Sequence, residues 1–107
     1  MKRVVISDEI RAMPDRLSHV ERADRYLEEE LGASADTVTA EWYIRQVPRL
    51  RLSDFADSTE ADFRWEEFED DAHLRGRLHK TWGKLLDVRS RRLVSELAEL
   101  LKVQVWD

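Results

Sequence analysis

Cysteine is absent from this 107-residue chain. That removes disulfides, thiolate zinc sites and thiol nucleophiles together, and makes a reducing compartment, the cytoplasm, the expected location. Long apolar runs are missing too, with nothing approaching the roughly 18 residues that a membrane-crossing helix needs. The opening "MKRVVISDEI" holds an apolar run of only three residues, too short for the core of a signal peptide. Glycine and proline are scarce, three and two, while 38% of the residues are charged; this composition suits helices joined by short connections. A chain of this length fits a single domain.

What is present in quantity is charge, and it is sorted along the chain. Residues 54–71 hold nine acids against one base, Arg64. Residues 72–92 hold seven bases, Arg75, Arg77, Lys80, Lys84, Arg89, Arg91 and Arg92, against Asp87. The net charge of −5 counts against nucleic acid as the default partner, because duplex affinity comes largely from cations meeting phosphates. The basic run remains a candidate contact, for a phosphate backbone or for an acidic protein. The acidic run beside it is the competing partner in cis, and internal pairing is the favoured reading.

The local patterns predict mostly helices. Ser7 offers an N-cap to a short first turn that Pro14 ends. Pro14 opens a longer helix to Leu31, with Gly32 placed as the left-handed residue after its last turn. Residues 36–47 carry two patterns. Ala40, Tyr43, Ile44 and Val47 have helical spacing, whereas Val38, Ala40, Trp42 and Ile44 alternate like a strand. Asp36 as cap and Pro48 as stop favour the helix. A further helix is predicted from Ser58 or Thr59 through Ala61, Trp65, Phe68 and Ala72. From His73 onward one stripe runs through Leu74, Leu78, Trp82 and Leu85, and a second through Leu93, Val94, Leu97, Leu100 and Leu101; one helix and two are equally compatible with them. Gly76 and Gly83 each cost about 1 kcal/mol against Ala in a helix interior, which points to close packing. The fold class these patterns predict is mainly α, a compact bundle of four to five helices, with a small β pair from the two termini, "RVVI" and "KVQVWD", as an optional addition.

One stretch resembles a functional motif. "LGASADTVTAEW", residues 31–42, resembles the turn and second helix of a DNA-binding helix-turn-helix, with Gly32, Ala33 and Ser34 in the turn and Thr37-Val38 after it. The likeness implies a DNA-binding regulator whose reading helix is residues 36–47. Against it, Glu28 stands where the helices should touch, Glu41 stands at an inward position, and Arg45 is the one cation on the reading helix. An ordinary Gly cap followed by a new N-cap gives most of the same letters.

Catalytic signatures are few. Glu66, Asp70 and His73 fall at i, i+4 and i+7, a spacing open to metal, but a di-metal site needs a second such set on a facing helix, and Glu96 and Glu99 lack a His. Ser18 and His19 are adjacent and do not face each other on a helix. No cofactor, metal or catalytic residue is therefore assigned, and a small carboxylate-based enzyme is the third-ranked reading. The aromatics are more informative. Trp65, Phe68 and Trp82 sit on stripes and are predicted core, whereas Trp42, Phe63 and Trp106 have no clear place. Charge-flanked aromatics of that kind serve as interface anchors. The sequence reading is thus a non-enzymatic binding protein acting on a protein partner, as adaptor, inhibitor or small regulatory subunit, with self-association open. Its interaction candidates are Trp42, Tyr43, Arg45, Phe63 and the seven cations.

Overall fold

The structure, a computed structural model, describes residues 3–106, with side chains through 102. Strand β1 (Arg3–Ile6) leads through the single turn α1 (Asp8–Arg11) into α2 (Pro14–Leu31). A 3-10 turn (Gly32–Thr37) then gives way to β2 (Thr39–Arg45), β3 (Val47–Ser53) and β4 (Ser58–Asp62). A second 3-10 turn (Trp65–Glu69) precedes α3 (Asp71–Trp106), one unbroken helix of 36 residues. The sheet order is β1-β2-β3-β4, with β1 parallel to β2 and the other neighbours antiparallel.

The helix-bundle prediction is overturned: three helices pack on a four-stranded mixed sheet. Three local facts account for the difference. First, residues 39–53 form a hairpin, because the alternation of Val38, Ala40 and Trp42 buries one face of a strand and Gln46 takes a positive φ of 69° at the turn. Pro48 does not stop this strand. Its carbonyl accepts from the Phe63 N–H at 2.8 Å, so its ring nitrogen points toward the end of β4 and no bond to β2 is lost. Second, residues 58–64 alternate outward Glu60 and Asp62 with buried Ala61 and Phe63, a period of two that a helix would split. Third, β1 pairs with β2 and not with the C-terminal tail, which continues as helix. The Trp106 side chain lies outside the described residues.

Other expectations hold in detail. The Ser7 hydroxyl accepts from the Ile10 N–H at 3.4 Å, Pro14 opens α2, and Gly32 follows it with φ 55°. Gly76 and Gly83 do not mark close packing, since a Cβ added at either meets nothing within 4 Å.

The helices cover one sheet face. Val20, Ala23 and Leu27 of α2 and Leu74, Leu78 and Leu85 of α3 close over Ala40, Trp42, Leu50, Leu52 and Ala61. At the centre Trp42 stacks obliquely with Phe63 and Phe68, ring centroids 5.9 and 6.2 Å away, and its Nε1 donates to Asp24 Oδ1 on α2 at 3.0 Å. Only the first half of α3 takes part. Beyond Leu85 the helix leaves the core, keeps contact with the β3–β4 loop through Arg89 and Arg92, and then runs on alone for roughly 20 Å, given 1.5 Å per residue. The radius of gyration, 16.7 Å, accordingly exceeds the ~13 Å of a compact chain this long.

Trp42→Ala is expected to cost about 3–5 kcal/mol of unfolding free energy in urea melts, the loss typical of a deleted core aromatic. Gly76→Ala, at an exposed helical site with open space around it, is expected to gain about 0.5–1 kcal/mol in the same assay.

Candidate functional site

The cations predicted as contacts divide into held and free. Arg75 Nη1 donates to Glu29 Oε2 on α2 at 2.8 Å, and its guanidinium lies 3.8 Å from the Tyr26 ring. That hydrogen bond raises the Arg75 pKa further. Arg77 donates to Glu67 at 3.1 Å and to the Asp62 carbonyl, and it covers the Phe63 ring. Arg89 and Arg92 grip the β3–β4 loop. Lys80, Lys84 and Arg91 are exposed and make no ion pair among the described residues, but Asp87 lies in the same helical line.

The aromatic anchors change role. Trp42 and Phe63 are buried core side chains, 0% and 1% exposed, and are no surface contacts. Strand alternation turned both inward. Tyr43, half-buried, faces the uncovered side of the sheet opposite Arg49, and Arg45 is exposed at the hairpin end. The helix-turn-helix resemblance has no counterpart in the fold, because its second helix is β2.

The grip on the loop has a defined construction. The Asp54 N–H donates to the Asp57 carbonyl at 2.9 Å, and Asp54 Oδ1 accepts from the Ala56 and Asp57 N–H groups at 3.1 and 2.9 Å. The turn drives both carboxylates against α3. Arg89 Nε and Nη2 donate to Asp54 Oδ2 at 3.0 and 2.5 Å. Arg92 Nε reaches both oxygens of Asp57 at 3.1 Å, and its Nη1 donates to Glu96 at 3.1 Å. The two aspartate side chains are 6% and 5% exposed. Burial alone would raise the Asp54 pKa; the Asp57 and Ala56 amides and the Arg89 guanidinium outweigh it and hold the carboxyl below its ordinary value. The Asp57 contact, then Glu96, raises Arg92. Between the two aspartates Phe55 stands 96% exposed.

Arg89 and Arg92 continue the line of α3 that carries Leu74, Leu78 and Leu85 on the body. Leu86, Leu93, Leu97 and Leu100 lie about a quarter-turn away, at 100° per residue, so the loop that holds the arginines leaves them uncovered. Their exposures decide the matter: Leu93 50%, Val94 67%, Leu97 57%, Leu100 59% and Leu101 52%, with Leu86 at 38%. The sequence shows this second stripe without saying what covers it. The missed signal is its phase, since the stripe is out of line with Leu74–Leu85 and so cannot face the same body. Phe55, an aromatic between two turn-forming aspartates, was missed outright.

The one His-bearing concavity described, about 410 Å³ and lined by Arg64, Glu66, Glu67, Asp70 and His73, is polar and open. Glu67 there already meets Arg77 at 3.1 Å and His73 at 3.4 Å, and Asp70 caps α3 by accepting from the His73 N–H at 3.1 Å. Glu66, in the 3-10 turn, does not share a helical face with His73. Among the described residues no group of three or more His, Asp or Glu side chains is arranged to hold a metal, and no helix is long and apolar enough to cross a membrane. No protein family, curated protein or solved structure matches the chain.

Asp54→Asn keeps the turn and breaks the ion pair. At neutral pH it is expected to lose about 1.5–3 kcal/mol, the range for hydrogen bonds to charged groups. Because the folded Asp54 pKa is depressed, its contribution is complete above the ordinary value of 3.8 and vanishes as the pH falls through the lower folded value. Urea melts should show a constant wild-type advantage at pH 5–7 that closes below pH 4; a gap that persists in strong acid would contradict this pairing.

Proposed function

We propose that this protein acts by binding another polypeptide through the protruding half of α3, as an adaptor, inhibitor or small regulatory subunit does, and not by catalysis. The observation that carries the reading is the row Leu86, Leu93, Val94, Leu97, Leu100 and Leu101, exposed on the side of the helix that no other described element covers. At roughly 100 Å² each, these side chains form an apolar surface on the order of 600 Å², at the top of the range for the largest patch on a monomer and typical of a functional one. The stretch beyond Arg92 is also of a length, roughly 14 residues, at which an unsupported helix is marginal in water. An apolar partner meets both needs at once.

The charge arrangement supports a protein partner over the nucleic-acid alternative. Four of the seven late cations are held by carboxylates of the same chain, and Asp87 interrupts the remaining three. A membrane surface is less well matched, because Asp87, Glu96 and Glu99 share the polar side of this half-helix with its cations.

Two outcomes test the reading. Leu93→Ser with Leu97→Ser is expected to change thermal stability by no more than about 0.5 kcal/mol, the normal result at exposed sites; a large loss would mean that the stripe is covered by the chain's own body. A photo-crosslinking residue at position 97, used in the native cell, is expected to trap polypeptide, while the same residue at position 84 traps far less. Adducts with lipid or nucleic acid alone would overturn the proposal.

A further inference from the structure

We infer that the occupant of this stripe is a second copy of the chain, the two protruding helices pairing side by side; the inference rests on the binding role just proposed. Spacing is the first ground. Leu86, Ser90, Leu93, Leu97 and Leu100 alternate by four and three residues, the seam with which one helix packs against another of the same repeat. Val94 and Leu101 widen the seam on one flank.

Charge is the second ground. On the flank nearest the body stand Arg89 and Glu96, and both are already engaged, Arg89 with Asp54 and Glu96 with Arg92. On the far flank stand Asp87, Val94 and Leu101, seven residues apart, so that side carries one charge at the body end and is otherwise apolar. The seam therefore selects no partner by charge. It asks for an uncharged apolar helix of matching repeat, and the chain itself supplies one at equal concentration.

Area is the third ground. Two stripes on the order of 600 Å² each bury about 1,200 Å² in total, the lower edge of specific, stable interfaces. An interface at that edge suits a reversible dimer and not an obligate one.

Sedimentation velocity on the full chain tests this. The wild type is expected to shift from monomer to dimer between about 1 and 200 μM. The variants L93E/L97E and L93K/L97K, alike in helicity by circular dichroism, are expected to stay monomeric singly. An equimolar mixture should regain the dimer, since acid then faces base whichever way the helices run. A monomeric wild type throughout, or a dimer that L93E/L97E leaves unchanged, overturns self-pairing. If the wild type is monomeric while position 97 still crosslinks a different protein, this inference fails and the proposed binding role survives.

Discussion

Two buried aspartates hold two arginines at the point where α3 leaves the body, and the rest of the molecule's surface logic depends on them. A buried carboxylate without a cation is strongly unfavourable, so Asp54 and Asp57 fix Arg89 and Arg92 in place once the turn between β3 and β4 has formed. That grip has three consequences. It continues the helix past the last core leucine, it withdraws two cations from solvent, and it sets the rotation of the helix. With the arginines turned to the loop, the leucines a quarter-turn away have no choice but water.

The remaining surfaces satisfy themselves. On the uncovered face of the sheet, Arg51 stands between Glu41 and Glu60 across neighbouring strands, and Arg49 between Tyr43 and Asp62, with Arg49 Nε 2.7 Å from Asp62. Opposite charges in register stabilise such a face without any ligand. The α2–α3 side carries its own pairs, Arg75 with Glu29 and His79 with Glu30. In the cavity beside His73, Arg64, Glu67, Asp70 and His73 are already engaged with protein groups. Among the described residues, the distal stripe of α3 is the place where a large unmet need for contact remains.

How much of this was legible in the sequence follows from which signals were local. The start and end of α2 were readable because Pro14, Leu31 and Gly32 act within one turn of the chain. The cap at Ser7 was readable for the same reason. Residues 36–47 were not, because helix and strand periods overlap there and the deciding contact, Phe63 with Pro48, comes from 15 residues away. Phe63 itself looked unplaced only because residues 58–64 were assigned the wrong period. The separation of charge was visible, and the pairing of the basic run with the acidic run is present at Arg77, Arg89 and Arg92: Arg77 meets Glu67 on a 3-10 turn where a helix had been expected, and the other two meet aspartates of the connection before β4. The stripe now read as an interface was visible as well, but apolar spacing says that a face is buried and not by what. Only the phase relation to Leu74–Leu85, together with the position of the loop, shows that the chain's own body does not cover it.

That dependence on an outside surface is open to one direct measurement: amide hydrogen exchange along α3 at two protein concentrations. Amides near 74–85 should be protected equally at both, while those near 93–102 should be protected at high concentration and exchange freely on dilution. Rapid exchange of 93–102 at every concentration, or protection that dilution does not touch, would contradict the account.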